Sequence, residues 1–181
     1  QLLNAWLQKD WESAVAYALN GSFENNTLKD LTSDIIIEGW ARVDADAVKG
    51  WLDAVELEIF DIEGFAEVAA KVAANKWIKD AESDLYYGAM KNLRRYHTAF
   101  VKGLVTHDLD KATEFLENQY KNWGDNTRED VIKTIFRNAS RGDSETTLRW
   151  LNSLKDDSVK EHIMNRHLYR LAEKKPEAFA E

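Results

Sequence analysis

The chain contains no cysteine, a single proline and only eight glycines among its 181 residues. The absence of cysteine excludes a disulfide framework and a thiolate metal site. Proline and glycine interrupt helices, so their scarcity favours helical structure along the whole chain. No apolar run approaches the roughly 20 residues of a membrane-spanning helix, and we therefore expect no membrane insertion. Because a chain without cysteine suits any compartment, its location stays open.

Basic residues are also scarce, since 24 lysines and arginines are outnumbered by 32 aspartates and glutamates. The formal charge of −8 argues against a nucleic-acid partner, which would require a basic stripe. Residues 1–90 carry a charge of −10, whereas residues 91–181 carry +2. An acidic half of this kind keeps a chain soluble. It could also steer a basic partner towards the chain or join two copies end to end.

The most informative feature that is present is a short acidic motif that recurs six times. The six copies begin at Asp10, Asp44, Asp80, Asp108, Asp143 and Lys175. The intervals between them are 34, 36, 28, 35 and 32 residues, a period typical of helical-repeat arrays. An aromatic residue lies seven positions after each of the first five starts: Tyr17, Trp51, Tyr87, Phe115 and Trp150. We expect these rings, together with Trp40, to belong to the core.

Each copy of the motif predicts the start of a helix. An aspartate at the N-cap accepts hydrogen bonds from the free amides of the first turn, and a following acid favours the positive helix end. In the sixth copy Pro176 takes the first helical position, where its missing N–H costs nothing. Eight residues before the later starts an apolar stripe recurs, at Ile36, Val72, Phe100, Ile135 and His167. Every unit is thus predicted to be a helix, a tight turn at the aspartate and a second helix.

These repeats predict an all-α fold, a right-handed αα-superhelix of about five to six helix-turn-helix repeats of ~35 residues. Residues 1–181 would form a single helical-repeat domain. The first motif begins nine residues into the chain and the last begins six residues before its end, so the outer units are incomplete. We therefore expect the chain to be a fragment of a longer array or to be processed from one.

One unit resembles a known type of repeat. Residues 40–52 read WARVDADAVKGWL, which resembles the W-A-x-x-D-x-x-A-x-x-x-W-L pattern of bacterial αα-solenoid helical repeats. More loosely, the period of ~35 residues is similar to that of tetratricopeptide and pentatricopeptide arrays. The resemblance implies a concave surface that binds proteins or peptides. A pentatricopeptide likeness would imply RNA, against which the acidic balance argues.

The histidines and the paired acids are the candidate metal ligands of the sequence. His97 and His167 fall where sister repeats carry apolar residues, so we expect both to be buried structural residues. His162 and His167 are five residues apart, whereas a helical zinc pair requires a spacing of four, and we expect them to face different ways. His107 could pair with the neighbouring acid at a turn. The acidic pairs at the helix starts could hold a hard cation, but capping already explains them. We therefore predict no metal and no cofactor.

Motifs for self-contained catalysis are absent from the sequence. There is no nucleophile elbow, phosphate-binding loop or dinucleotide fingerprint. Among 32 acidic residues some pair is always close, so paired carboxylates carry no information about glycosidase chemistry. The extended grooves of repeat proteins bind ligands rather than exclude water from a reaction. We predict that the chain is not an enzyme.

Candidate partner-binding residues are the aromatics off the apolar stripe and two arginines at the shortest interval. Exposed tryptophan and tyrosine are preferred interface anchors, although these rings could equally stack on sugars or fill wedges between repeats. The candidates are Trp11, Trp77, Tyr86, Arg94, Arg95, Tyr96 and Trp123. The leading hypothesis is a non-enzymatic scaffold or recognition module that binds a protein or peptide on its concave face. The alternative is a helical accessory domain of a larger enzyme, for example one acting on cell-wall glycan.

Overall fold

The computed structural model describes residues 5–6, 9–20, 26–61, 65–74, 81–141 and 144–168. Within these ranges there is no β-strand, and the predicted all-α class is confirmed. The α-helices are α1 (Trp11–Asn20), α2 (Asn26–Val43), α3 (Ala45–Phe60), α4 (Phe65–Ala74), α5 (Ala81–Leu104), α6 (Leu109–Gln119), α7 (Asp125–Ala139), α8 (Ser144–Ser153) and α9 (Asp157–Ile163). A π-helical turn, Met164–Leu168, continues α9. No helix of this described part combines the length and apolar character needed to cross a membrane.

The chain divides into two compact units, a first unit of Gln1–Phe100 and a second unit of Val101–Glu181. The division falls inside α5. In the first unit α1 packs on α2, α2 on α3, and α3 on α4. In the second unit α6 packs on α7, and α7 on α8. Helices that follow one another in sequence are therefore also neighbours in space, as expected of helix-turn-helix units.

The predicted capping role of the motif is confirmed wherever the aspartate is described. Asp10, Asp44 and Asp108 each accept a hydrogen bond from the backbone amide three residues further on, at 3.2, 2.9 and 2.9 Å. Asp80 and Asp143 lie outside the described residues, although α5 and α8 begin at the residue that follows each of them. The sixth copy also lies outside them. Because each cap satisfies an amide that has no partner within the helix, the motif sets where these helices begin.

The predicted apolar stripe is confirmed. All five side chains at this position are buried, with exposed fractions between 0 and 8%: Ile36, Val72, Phe100, Ile135 and His167. The next residue of the stripe is buried as well where its side chain is described, at Ile37, Val101 and Phe136. The same slots thus form the inside of successive helix pairs in both units.

The prediction for the recurring aromatic position is correct in the second unit and partly wrong in the first. Phe115 and Trp150 are buried, but Tyr17 and Tyr87 are exposed by 46% and 45%. Trp51 is half-buried. A position seven residues after the cap fixes the face of the helix on which a ring lies. Whether that face is covered depends on neighbouring helices, which the spacing does not specify.

The shortest interval joins two repeat helices without a turn. The helix after the third motif and the helix before the fourth form one continuous 24-residue helix, α5, with no turn between them. An interval of 28 residues leaves no room for a loop, and no proline interrupts the segment. Among the side chains of α5 that the structure describes, the continuous buried stripe lies in the second half, at Leu93, His97, Phe100, Val101 and Leu104.

Candidate functional site

Four aromatic residues of the first unit form a column of rings. Two of them were predicted as anchors and two as core residues. Trp11 of α1 stacks on Trp40 of α2, with centroids 5.3 Å apart and planes 19° apart. Trp40 continues to Trp51 of α3 at 6.2 Å, and Trp51 to Tyr96 of α5 at 5.2 Å. Trp40 is buried, and the other three rings are half-buried. The candidate anchors Trp11 and Tyr96 therefore fill space between helices, with a part of each ring left accessible.

A second group of rings, which we name the aromatic patch, consists of Phe60, Phe65, Tyr86 and Tyr87. The centroid distances from each ring to the next are 5.3, 5.2 and 5.6 Å. Phe60 is 54% exposed and Tyr87 45%, so the patch lies open to solvent. Of its members only Tyr86 was predicted as an anchor. The missed signal was the pair of phenylalanines on either side of Asp61, Phe60 and Phe65.

The two candidate arginines lie on α5 and serve different contacts. Arg95 forms an ion pair with Asp34 of α2 at 3.0 Å, and its side chain is only 18% exposed. Arg94 is half-buried, and its carbonyl oxygen accepts a hydrogen bond from the Thr98 hydroxyl at 2.7 Å. On the same helix the buried His97 places Nε2 2.8 Å from a carboxylate oxygen of Glu56. The predicted burial of His97 is confirmed.

Trp123 is buried, which agrees with the space-filling alternative that the sequence left open for the candidate rings. It is 6% exposed, and its ring lies 5.6 Å from that of the buried Phe115, tilted by 58°. The residue follows the end of α6, so the chain turns back and lays the indole against the helix that it has just left. Trp77 lies outside the described residues.

The second unit holds a polar cluster that the sequence did not predict. Glu129 of α7 lies between two histidines that follow it by more than thirty residues. His162 Nε2 is 3.2 Å from Glu129 Oε2, and His167 Nε2 is 3.6 Å from Glu129 Oε1. One ligand atom from each of the three residues lies within 4.8 Å of those from the other two. We name these three residues the His₂Glu cluster.

The expectation that His162 and His167 face different ways is wrong. In a regular α-helix, five residues rotate the chain by about 140° beyond a full turn, which would separate the rings. Here Met164–Leu168 forms a π-turn. Its hydrogen bonds join residues five apart, so its wider turn returns residues of that spacing to one face. The buried position of His167, which was predicted, is confirmed at 8% exposure.

Tyr120 and Arg128 hold the cluster from one side. The Tyr120 hydroxyl is 3.0 Å from His162 Nδ1, and the two rings meet edge to face. The Arg128 guanidinium lies 4.7 Å above the Tyr120 ring, and its Nε donates to the Tyr120 carbonyl oxygen at 2.7 Å. Burial raises the pKa of Tyr120, so its phenol keeps the proton at neutral pH. Both nitrogens of His162 therefore have a fixed partner.

The charge of Glu129 is stabilised by its neighbours. Burial by itself raises the pKa of this carboxyl group. The hydrogen bond from His162 and the charges of His167 and Arg166 outweigh the burial, and the pKa of Glu129 lies below its usual value. Arg166 Nη1 is 3.4 Å from the same oxygen that contacts His162. Glu129 is thus an ionised carboxylate with three basic neighbours, His162, His167 and Arg166.

The start of α9 positions both histidines. Asp156 caps the helix by accepting hydrogen bonds from the amides of Ser158 and Val159, at 2.9 and 3.3 Å. Burial raises the pKa of Asp156, but these hydrogen bonds and Lys121 outweigh it and lower the pKa overall. The backbone amide of Asp156 itself donates a hydrogen bond to the carboxylate of Glu117 of α6 at 2.9 Å. The helix that carries His162 is therefore fixed to α6 at its first turn.

An open cleft of about 440 Å³ adjoins the cluster. Its lining is mostly polar and carries both signs of charge: Tyr120, Asp125, Arg128, Ser158, Glu161, His162, Asn165 and Arg166. Of the His₂Glu cluster, only His162 lines this cleft. Two imidazoles and a carboxylate beside an open cleft can hold a metal ion, and without one they form a hydrogen-bonded network.

Comparison with known proteins gives no match to this chain among protein-family models, curated proteins or solved structures. The site is therefore interpreted from its own geometry.

Proposed function

We propose that the chain is a non-enzymatic helical-repeat recognition module that binds a protein or peptide through the aromatic patch. The observation that carries this proposal is the exposure of connected rings. Phe60 and Tyr87 keep about half of their surface in solvent, although both belong to a series of four rings in which each contacts the next. Large aromatic residues in one place are the preferred anchors of protein interfaces.

Exposed leucines extend the apolar surface of these helices. Leu57 lies one helical turn before Phe60 on α3 and is 71% exposed. Leu85 precedes Tyr86 on α5 and is 64% exposed. Scattered apolar side chains are ordinary on a protein surface, whereas contiguous apolar patches mark interaction sites. The aromatic patch is contiguous through its ring contacts, which supports a docking role.

Charge indicates which partner would fit. Glu58, Asp61 and Asp84 are exposed on the helices and the turn that carry the patch. Residues 1–90 carry a charge of −10. Acidic groups around an apolar centre attract a basic partner and speed its association. We therefore assign the patch to a basic peptide segment with apolar anchor residues.

The arrangement of the repeats belongs to the same proposal. We propose that the helix pairs form a right-handed αα-superhelix whose concave face contributes to binding. The recurrence of the same buried slots in both units supports this arrangement, as does the packing of consecutive helices. In repeat arrays each unit contacts only its neighbours, which leaves an extended surface for a ligand.

The second candidate function, a helical accessory domain of a larger enzyme, is favoured by a different observation. The cleft in the second unit is lined by hydrogen-bonding side chains and by Tyr120, which would suit a polar ligand such as a glycan. It would leave the aromatic patch without a role.

The proposal is tested by selecting peptides from a random displayed library on the immobilised chain. We expect enriched sequences to combine lysine or arginine with aromatic or aliphatic residues. A synthetic peptide of the enriched sequence should bind Tyr87→Ala and Phe60→Ala at least tenfold more weakly in calorimetry.

Tyr17→Ala is the matched control. Tyr17 occupies the same repeat slot as Tyr87, has nearly the same exposed fraction and lies on α1, outside the aromatic patch. Its substitution should leave peptide affinity unchanged. Failure to enrich any sequence, or equal affinity of the selected peptide for the wild type and Tyr87→Ala, would overturn the proposal.

A further inference from the structure

We propose that the His₂Glu cluster, Glu129 with His162 and His167, is a binding site for a divalent transition metal and that Zn²⁺ fits it best. This inference is independent of the aromatic patch and of peptide binding, because all three residues belong to the second unit. It rests on the spacing of the donor atoms, their chemical type, the group that orients His162 and the cleft beside them.

The donor atoms have the spacing that a small cation requires. Zinc binds imidazole nitrogen and carboxylate oxygen at about 2.0–2.2 Å, so neighbouring ligands of a tetrahedral site lie about 3.4 Å apart. The nitrogen–oxygen separation is 3.2 Å from His162 Nε2 to Glu129 Oε2 and 3.6 Å from His167 Nε2 to Glu129 Oε1, so each histidine faces its own carboxylate oxygen. The three ligand atoms lie within 4.8 Å of one another, so movements of up to about 1.4 Å, shared between two side chains, would complete the geometry.

The donor types select among cations. Two imidazole nitrogens and one carboxylate suit zinc and its neighbours in the first transition series. Magnesium and calcium prefer shells of oxygen alone, so neither should compete at this site. The set leaves a fourth position for water or another ligand, which could be reached from the cleft that His162 lines.

Tyr120 orients His162 for this role. A histidine that binds a metal through Nε2 carries its proton on Nδ1 and donates it to a nearby oxygen. The Tyr120 hydroxyl lies 3.0 Å from Nδ1, and its position is fixed by the Arg128 contacts. The structure thus supplies the outer partner that a metal-binding histidine requires.

Arg166 gives the proposal a further distinctive prediction. Its guanidinium lies 3.4 Å from Glu129 Oε2, where it competes with a bound cation for the carboxylate. The side chain is 64% exposed and can withdraw into solvent. Arg166→Ala should therefore bind zinc several-fold more tightly than the wild type, because one competing charge is removed. Unchanged or weaker zinc binding in this variant would contradict metal coordination by Glu129.

The decisive experiment titrates the purified chain with ZnCl₂ at pH 7.5 in a calorimeter, with CoCl₂ as an absorbing substitute. We expect one zinc per chain, no heat from MgCl₂, and visible Co²⁺ absorption of a low-coordinate site. Glu129→Gln and His167→Gln should weaken zinc binding by at least tenfold, and Tyr120→Phe by about tenfold. Circular dichroism of each variant establishes that it is folded.

Glu56→Gln is the matched control. It makes the same carboxylate-to-amide change beside a buried histidine, but Glu56 contacts the single ring of His97 at 2.8 Å. Its zinc affinity should equal that of the wild type. The absence of binding in the wild type, or equal binding by Glu129→Gln and the wild type, would overturn the proposal. Since Glu129→Gln keeps the size of the side chain, its result does not depend on the tolerance of the buried His167 position.

Discussion

The two compact units share one repeat pattern but differ in what they leave on the surface. Among the described residues, the large apolar side chains that stay exposed in the first unit are Tyr17, Ile35, Val43, Leu57, Phe60, Leu85 and Tyr87. In the second unit they are Leu148 and Met164. The second unit instead carries the polar His₂Glu cluster and its cleft. The repeat thus fixes which slots are buried, while the outer positions are left to vary in each unit.

The contacts between carboxylates and histidines show the same difference between the two units. His97 in the first unit contacts one carboxylate, Glu56, at 2.8 Å. In the second unit a single carboxylate, Glu129, receives two histidines and Arg166. Glu129 thus joins three basic side chains in one cluster, whereas Glu56 contacts His97. The difference arises from the π-turn and not from the repeat.

The largest effect is expected from equivalent core positions in the two units. Ile36→Ala and Ile135→Ala each remove a side chain that is at most 1% exposed. Each should lower the free energy of unfolding by about 2–5 kcal/mol, because a cavity is added to the loss of apolar burial. Chemical denaturation followed by circular dichroism measures both. A loss below about 1 kcal/mol at either site would show that the units do not share the same core.

A pH-dependent effect is expected at Glu129 in the second unit. The folded pKa of Glu129 lies below its unfolded value, near 4.5. The stability that its ionised form contributes is therefore fully present above that pH and is lost as the pH falls through the folded pKa. Glu129→Gln should cost about 1–2 kcal/mol at pH 7 and little once the carboxylate of the wild type is protonated.

Urea denaturation of both chains between pH 7 and pH 3 tests this, with metal chelated. The free-energy difference should shrink only below the unfolded pKa of the carboxyl group. A difference that stays constant over the whole range would contradict the stabilisation of the Glu129 charge by its neighbours.

Loss of a helix cap should have a smaller and nearly equal effect in both units. Asp44 and Asp108 make the same 2.9 Å hydrogen bond to the amide three residues further on. Asp44→Ala and Asp108→Ala should each lower the free energy of unfolding by about 1 kcal/mol. Glycine at either position should restore most of the loss, since it is tolerated as a cap. If alanine had no effect at either site, the motif would not be setting the helix starts.

The smallest expected change in stability concerns the exposed surface of the first unit. Leu57 is 71% exposed, so Leu57→Ser should alter the free energy of unfolding by no more than about 0.5 kcal/mol. The same variant should weaken binding of a peptide selected on the aromatic patch. A large loss of stability would show instead that Leu57 is part of the fold. The two units would then differ less in the apolar surface that they expose to solvent.

The sequence predicted the inside of the fold better than its surfaces. Periodicity identified the caps at Asp44 and Asp108 and the buried stripe from Ile36 to His167, since both follow from local hydrogen bonding and helical spacing. It left open whether Trp123 is an exposed anchor or fills space between helices, because that depends on where a loop turns. The sequence also could not predict the contact between Glu129 and His162, because that contact depends on how two helices far apart in sequence pack against each other.

The one available signal for the cluster was His167 itself. A histidine occupied a slot that carries isoleucine, valine or phenylalanine in the other repeats. Burial of a polar ring requires a partner. A histidine in this slot therefore indicates that a polar group lies nearby, without identifying it. No feature of the sequence indicated the π-turn. Without it, the prediction placed His162 and His167 on different faces of a regular helix.

The π-turn also makes the second unit sensitive to chain length. A chain with one residue fewer within Met164–Leu168, for example without the exposed Asn165, would close this segment as an ordinary α-turn. The residues that follow the deletion within this turn would then rotate by about 100° around the helix, and the imidazole of His167 would move away from Glu129. Insertion or deletion of a single residue, with no change in the identity of any ligand, could therefore assemble or dismantle the cluster in related chains.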